Sequence, residues 1–102
     1  MTPTEMAALH GRAFVNPRPW SSAEIADLLT SPLCFVLTEL EGFLIGRVVA
    51  GEAELLTVAV EPAAQGRGLG SRLIARFFAE AGLRGADSAF LEVAAADAMS
   101  LA

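Results

Sequence analysis

The N-terminal third of the chain carries apolar residues at the spacing of two short α-helices. Across residues 4–14 the apolar side chains recur every three to four positions, which predicts the first helix. Residues 16–19, Asn-Pro-Arg-Pro, end it, because proline removes a backbone donor and restricts the residue before it. A second helix is predicted next, with Ser21 or Ser22 as its N-cap and Glu24 at the spacing of a capping box.

The pattern then changes to that of β-strands joined by short turns. Residues 33–38, 43–50 and 53–60 are apolar and rich in β-branched side chains, and glycine-containing turns separate them. These features predict three consecutive strands. Strands joined by such short connections pair antiparallel.

A glycine-rich loop follows, and beyond it the apolar pattern returns to the helical period over residues 69–83. This pattern predicts an amphipathic helix whose buried face consists of Leu69, Leu73, Ile74, Phe77, Phe78 and Ala81. Gly85 is placed to end the helix. Residues 88–93 predict a further strand, and Asp97 is placed to cap a helix that begins there.

The predicted order is therefore α-α-β-β-β-α-β, in one domain that covers residues 1–102. The first three strands are expected to be antiparallel, and the last strand-helix-strand unit requires a right-handed parallel crossover. The fold class expected is α/β (α+β), with helices packed on a mixed sheet.

Composition narrows the classes of partner. The chain is 54% hydrophobic and carries seven basic residues, all arginine, against twelve acidic ones, for a net charge of −5. This balance argues against a nucleic-acid partner, which needs a basic face, and is compatible with a cationic or amine-bearing one. Cys34 is the only cysteine, and no stretch is apolar and long enough to predict a signal peptide or a membrane span. We expect a cytoplasmic protein that binds no membrane and no metal.

The segment richest in candidate chemistry is the loop Gln65-Gly66-Arg67-Gly68-Leu69-Gly70, between a strand and a helix. Glycines at the start of a helix let backbone N–H groups approach an anion, and the helix dipole favours negative charge there. The simpler alternative is an ordinary glycine-rich turn. A P-loop is excluded because the chain has no lysine.

A dinucleotide site of the Rossmann type is a further alternative. Gly66 and Gly68 match its first two glycines, but the third position falls on Ser71. The connection from the strand to Gly66 is also too long for that motif, and three antiparallel strands precede it. Both features disfavour this alternative.

In this setting the spacing of Gln65, Gly68 and Gly70 resembles the acyl-coenzyme A signature of the GNAT superfamily of N-acetyltransferases. The predicted element order is similar to that fold as well, without its usual first strand. Within the superfamily, the chain is most like the bacterial ribosomal-protein-alanine N-acetyltransferases, on the evidence of residues 19–21, 58–62 and 91–93.

The resemblance implies acetyl-CoA as the co-substrate and assigns residues to it. Backbone groups of Val58, Ala59 and Val60 would contact the pantetheine arm and the acetyl carbonyl. The pyrophosphate would be held by the loop and the first turn of the helix, that is by Gln65, Gly66, Arg67, Gly68, Leu69, Gly70 and Ser71. Asp97 stands where the subgroup has an asparagine that contacts the cofactor, a departure that weakens this contact or leaves only the capping role.

The resemblance also implies that Glu92 is the general base. An α-amine is mostly protonated near neutral pH, since its pKa is about 8, and only the neutral amine attacks a thioester. Apolar neighbours would raise the pKa of Glu92 toward a useful value. A solvated carboxylate at the end of a strand is the alternative. The acceptor implied is a protein N-terminal alanine, with a small amine as the alternative.

The subgroup continues after Asp97 with a helix that carries a catalytic tyrosine and with closing strands, whereas this chain has no tyrosine. We therefore expect a domain that lacks its C-terminal part, whether by truncation or because another chain supplies it. The third alternative is a non-catalytic fragment that binds coenzyme A or a partner protein. The 102-residue chain alone is expected to be a poor catalyst and to form a homodimer through its exposed final strand.

Other side chains are expected to have plainer roles. His10 is expected at the surface or half-buried on its helix, and Cys34 as a small buried hydrophobe. Glu39 and Glu41 are expected to be solvated charges at a turn. Trp20 has two interpretations, as a wall of the acceptor groove or as part of the core.

Overall fold

The computed structural model describes residues 1–13 and 20–90. Its elements, in chain order, are α1 (Pro3–Ala13), α2 (Ser22–Leu29), β1 (Cys34–Glu39), β2 (Gly42–Val49), β3 (Glu52–Val60), a 3-10 turn (Pro62–Ala64), α3 (Leu69–Leu83) and β4 (Ser88–Phe90). The predicted order is confirmed. The strand predicted over residues 88–93 is described only to Phe90, and the helix predicted at Asp97 lies outside the described residues.

The four strands form one sheet in the order β1-β2-β3-β4. The pairs β1–β2 and β2–β3 are antiparallel, whereas β3 and β4 are parallel, as the α3 crossover requires. The register between β2 and β3 shifts between Ile45 and Gly46, because Leu56 is an extra residue on β3. This β-bulge lies one residue before the segment of β3 that the resemblance assigns to the acetyl donor.

Side-chain hydrogen bonds cap the N-terminal ends of the first two helices. Ser21 accepts from the Glu24 backbone N–H at 3.2 Å, and the Glu24 carboxylate accepts from the Ser21 N–H at 2.9 Å. Thr2 and Glu5 exchange the same pair of hydrogen bonds at the start of α1. Both helices thus begin with a capping box, which satisfies backbone donors that would otherwise lack partners.

The helices cover opposite faces of the sheet. Phe43 on β2 lies against His10 of α1, with ring centroids 6.3 Å apart. Its neighbour Gly42 faces the other way, toward Leu69 and Leu73 of α3. Because successive strand residues point to opposite faces, α1 and α3 lie on different sides of the sheet. The result is a core of two apolar layers with the sheet between them.

Close approach of α3 to the sheet depends on a bare backbone at Gly46. A Cβ at this position would lie 2.7 Å from Phe35 Cζ and 2.9 Å from Phe77 Cε1. The two aromatic rings stack with centroids 6.1 Å apart and fill the space above the glycine. The strand can therefore carry no side chain where the helix crosses it.

The predicted buried stripe of α3 is confirmed for Leu69, Leu73, Phe77 and Ala81, and Ile74 is half-buried. The prediction for Phe78 is wrong, because its side chain is 48% exposed. Phe78 lies one position past Phe77 on the helix, which turns it away from the sheet toward the flank of α3. There its ring lies tilted against that of Phe77, with centroids 5.6 Å apart and an angle of 58° between the ring planes.

His10 is the second residue that differs from expectation, because it is only 2% exposed. The Trp20 backbone N–H donates to Nδ1 at 3.0 Å, and Nε2 lies 3.0 Å from Thr57 Oγ1. Since Nδ1 accepts, a neutral ring carries its proton on Nε2 and donates it to Thr57. The imidazole also stacks on the Trp20 ring, with centroids 5.4 Å apart. One side chain of α1 thereby connects the start of α2 to β3.

Substitution of Gly46 by alanine should destabilise the fold. The added methyl group would overlap the rings of Phe35 and Phe77, which are buried in the core and cannot easily shift. We therefore expect a loss of about 1–3 kcal/mol in the free energy of unfolding. Urea denaturation measures it. Gly82→Ala is the matched control, because a Cβ there meets nothing within 4 Å and the position is helical. That variant should be unchanged or up to about 1 kcal/mol more stable. Equal stability of the two variants would contradict this packing.

The buried imidazole should make stability depend on pH. Burial lowers the pKa of His10 from 6.5 to about 4 in the folded chain. Between these values the unfolded chain binds a proton that the folded chain does not, so the free energy of unfolding falls as the pH is lowered. From about pH 7 to about pH 5 we expect a loss of about 2 kcal/mol, measured by urea unfolding at each pH.

His10→Gln provides the control for this titration, because glutamine keeps polar atoms but binds no proton in that range. Its stability should be nearly flat between about pH 5 and about pH 6.5. Arginine partners lower the pKa values of Glu39 and Glu61, so these carboxylates take up protons, and change the stability, only in more acidic solution. The same slope in both chains would show that His10 is not the group that titrates.

Candidate functional site

The connection from β3 to α3 contains two glycines in the left-handed backbone conformation. Gly66 has φ = +83° and Gly68 has φ = +78°, values that residues with a Cβ rarely adopt. A Cβ at either position would meet nothing within 4 Å. The backbone conformation, rather than crowding, therefore requires glycine here, and the space beside the loop is open.

The loop ends at the start of α3, with Gly68 as the N-cap. Within the described residues no side chain hydrogen-bonds to cap this helix. Its first N–H groups, at Leu69, Gly70 and Ser71, have no partner inside the helix, since the first intrahelical bonds reach back four residues. Together with the positive end of the helix dipole, these donors form a surface on which an anion can bind.

A pocket of about 270 Å³ lies beside this loop. It is lined by Glu39, Leu40, Glu41, Ala64, Arg67, Leu69 and Arg72. The lining joins the β1–β2 turn to the loop and the first turn of α3. The lining contains both acidic and basic side chains, so the electrostatic potential in the pocket depends on which of these side chains form ion pairs with each other.

Glu39 forms ion pairs with two arginines of α3, in contrast to the expectation of a solvated charge. Its carboxylate lies 3.1 Å from Arg72 Nη1 and 2.5 Å from Arg76 Nη1, and the Arg76 Nη1 also donates to the Thr38 carbonyl at 2.8 Å. The hydrogen bond from Arg72 is the main cause that lowers the pKa of Glu39. Arg67 is exposed beside the glycines and also lines the pocket.

Gln65 fastens the loop to the end of the strand. Its side-chain Nε2 donates to the Val60 carbonyl at 3.1 Å. The family resemblance implies a role for Gln65 toward the cofactor, and the structure adds this contact with the protein itself. The hydrogen bond fixes where the glycine turns begin relative to β3.

The strand residues of the predicted site are in the core. Val58, Ala59 and Val60 are buried, and β2 pairs with them on one side of β3. On the other side, the described pairing of β3 with β4 runs from Glu52 to Glu54. The side chains thus anchor the strand, and any contact with a ligand has to come from its backbone.

The end of β3 is also tied to α1. Arg12 donates from Nε and Nη2 to the two carboxylate oxygens of Glu61, both at 2.7 Å. This bidentate pair lowers the pKa of Glu61. Sequence reasoning missed it, because the partners are 49 residues apart.

Ten of the predicted site residues lie between the end of β3 and the first turn of α3, in two runs that residues 61–64 separate. They are Val58, Ala59, Val60, Gln65, Gly66, Arg67, Gly68, Leu69, Gly70 and Ser71. Glu92 and Asp97 lie outside the described residues. Within residues 1–13 and 20–90, no cluster of three histidine, cysteine or acidic side chains is suited to a metal ion, and no helix is long and apolar enough to cross a membrane.

Known proteins share this sequence and architecture. The chain is 35% identical over 100 residues to the [Ribosomal protein bS18]-alanine N-acetyltransferase of Escherichia coli strain K12, over 94% of this chain and 68% of that protein. The crystal structure of the ribosomal-protein-S18-alanine N-acetyltransferase from Escherichia coli superposes with a TM-score of 0.75 at 31% identity. The match covers 93% of this chain and 64% of that one, so the present chain spans a little under two thirds of the crystallised protein.

More distant structures share the fold alone. An aminoglycoside 6'-N-acetyltransferase complexed with coenzyme A superposes with a TM-score of 0.69 at 20% identity, over 87% of this chain and 53% of that one. Acetyltransferases of the GNAT family use acetyl-CoA as the acetyl donor. The profile of the Acetyltransferase (GNAT) family matches residues 4–102. The chain belongs to the GNAT family of acetyltransferases.

Proposed function

We propose that this chain binds acetyl-CoA at the junction of β3 and α3 and transfers the acetyl group to a primary amine. The observation that carries the proposal is the loop at residues 66–71. Two left-handed glycines leave open space beside it, and it leads into a helix start whose N–H groups carry no side-chain cap. A diphosphate is the group that such a set of backbone donors suits best.

The residues present fit coenzyme A. The N–H groups of Gly66 to Ser71 would hold the pyrophosphate, with Arg67 adding positive charge beside them. The backbone of Val58, Ala59 and Val60 would hold the pantetheine arm by pairing with it as a further strand does. When bound, the thioester supplies an acetyl group activated for attack by an amine. The chain's contribution is to hold its carbonyl in a fixed direction beside the acceptor.

We propose Glu92 as the general base, on the basis of the family resemblance. It stands two residues beyond the last described residue of β4. The carboxylate would take a proton from the acceptor ammonium, either directly or through water, so that the neutral amine becomes available for attack. Asp97 is proposed only as a secondary contact to the cofactor, because the subgroup has asparagine there.

The acceptor that we propose is a protein N-terminal alanine. The support is the resemblance to relatives that are named as alanine N-acetyltransferases of a ribosomal protein. The net charge of −5 suits a basic acceptor, which also fits a small polyamine or aminoglycoside. Cytoplasmic location and pairing of two copies through the final strand stay predictions. A chain that binds coenzyme A without turnover is the second candidate, and the assays below separate the two.

A negative charge at Gly68 should strongly weaken coenzyme A binding. Gly68→Asp places a carboxylate where the pyrophosphate is proposed to lie, and like charges in close contact cost several kcal/mol, so the Kd should rise by at least about 10²-fold. Isothermal titration calorimetry with coenzyme A measures it. Gly68→Asn adds similar bulk without charge and should weaken binding much less.

Gly85→Asp is the matched control for backbone strain. Gly85 has φ = +84°, and a Cβ there also meets nothing within 4 Å, but it lies at the opposite end of α3. This variant should bind coenzyme A as the unchanged chain does. Equal loss of affinity at the two positions would place the binding site elsewhere.

Glu92→Gln should separate binding from chemistry. Loss of one positioned base lowers the acetylation rate by about 10²–10⁴-fold, while the Kd for coenzyme A should not change. The rate is measured by mass spectrometry with a short peptide that begins with alanine and with a panel of free amines. Glu52→Gln, an exposed carboxylate on β3, is the control. Binding without acetylation of any acceptor would favour the non-catalytic alternative.

A further inference from the structure

The contact between His10 and Thr57 lies at a point where the sheet is locally irregular. Thr57 follows the bulge residue Leu56 and precedes Val58, the first residue of the proposed pantetheine contact. A bulge interrupts the regular ladder and allows the strand beyond it to twist. The strand direction after the bulge therefore depends on what its first residue contacts.

The side chain of Thr57 is buried on the α1 face of the sheet and contacts the His10 imidazole there. The other ring nitrogen accepts from the Trp20 backbone N–H, just before α2. A planar ring with hydrogen bonds at both nitrogens and an aromatic ring stacked on its face has little freedom to move. If the strand moves at Thr57, the His10 imidazole has to move with it, and so does the Trp20 backbone to which it is hydrogen-bonded.

A polar pair in this place needs a reason beyond stability. Its neighbours are apolar core residues such as Met6, Leu9 and Phe43. Hydrophobic side chains of similar size would fill the same space without the cost of removing two polar groups from water. What a hydrogen-bonded pair adds is a defined distance and direction between α1 and the strand.

We propose that His10 is a positioning residue, which through Thr57 sets the direction of the acetyl-CoA-binding backbone at Val58–Val60 and couples it to Trp20 at the start of α2. This inference rests on the proposed function, because it takes Val58–Val60 as the contact with the pantetheine arm. It assigns no chemistry to His10 itself. The imidazole acts by holding two elements in register.

The experiment uses the single tryptophan of the chain, which together with the absence of tyrosine makes Trp20 the only strong fluorophore. Coenzyme A is titrated into the 102-residue chain and followed both by calorimetry and by Trp20 emission. In the unchanged chain, binding should shift the emission. Thr57→Val, which removes the hydroxyl at nearly constant shape, should weaken binding by roughly 2- to 30-fold and abolish the emission change at saturation.

Two controls separate positioning from general destabilisation. Thr57→Ser keeps the hydroxyl and should restore both the affinity and the emission change. Val48→Ala removes buried volume from β2 at a position paired with Ala53, away from the bulge, and should lower the melting temperature without changing either readout. If Thr57→Val does not fold, His10→Asn is used instead. Asparagine keeps an acceptor for the Trp20 N–H but loses the donor to Thr57.

The outcomes distinguish the two proposals. Equal affinities of Thr57→Val and Val48→Ala, or a Trp20 emission that coenzyme A leaves unchanged in the unmodified chain, would contradict the positioning role alone. Failure of the unmodified chain to bind coenzyme A at all would contradict the proposed function, and the positioning role with it.

Discussion

Two glycines of β2 let α3 cross the sheet at close distance. At Gly42 a Cβ would lie 3.0 Å from the Ala59 carbonyl and 3.3 Å from Leu73, and at Gly46 it would overlap Phe35 and Phe77. The helix is thereby held close to the sheet along its length. Its N-terminus is then fixed beside the end of β3, which is where the proposed anion site must form.

Contacts outside the core adjust this arrangement rather than create it. The pairs of Glu39 with Arg72 and Arg76 lie at the surface, where an ion pair contributes only about 0–1 kcal/mol. Their larger effect is on charge, because the Glu39 carboxylate offsets part of the positive charge of Arg72 and Arg76, while Arg67 lies exposed beside the glycines. On the opposite face, the His10 contacts connect α1, the start of α2 and β3. The proposed site at the end of β3 is thus next to both apolar layers, the one on the α1 side of the sheet and the one on the α3 side.

Local features of the chain could be predicted from sequence to within one or two residues. The capping box at Ser21, the helix over residues 69–83 and its end at Gly85 all depend on neighbouring side chains, and all are confirmed. The ten described residues of the predicted site are continuous in sequence apart from residues 61–64, which is why a short motif could locate them. Their roles toward coenzyme A stay predictions, as do those of Glu92 and Asp97.

What sequence reasoning missed depends on contacts between distant parts of the chain. Glu39 meets arginines 33 and 37 residues later, and His10 meets a threonine 47 residues later. No local pattern reports such partners. The burial of His10 did have a signal, since it follows Met6 by four positions and therefore shares the buried face of α1. The exposure of Phe78 had none, because only the position of the sheet decides how wide the buried stripe of α3 is.

We propose above all that the backbone N–H groups of residues 66–71 bind the pyrophosphate of coenzyme A. The most direct test is a two-dimensional ¹H–¹⁵N NMR titration of the chain, with coenzyme A in one series and pantetheine, which lacks the pyrophosphate, in the other. We expect the amide signals of Gly66, Gly68 and Gly70 to shift strongly with coenzyme A and hardly at all with pantetheine. Signals of these glycines that stay in place while coenzyme A binds would contradict it.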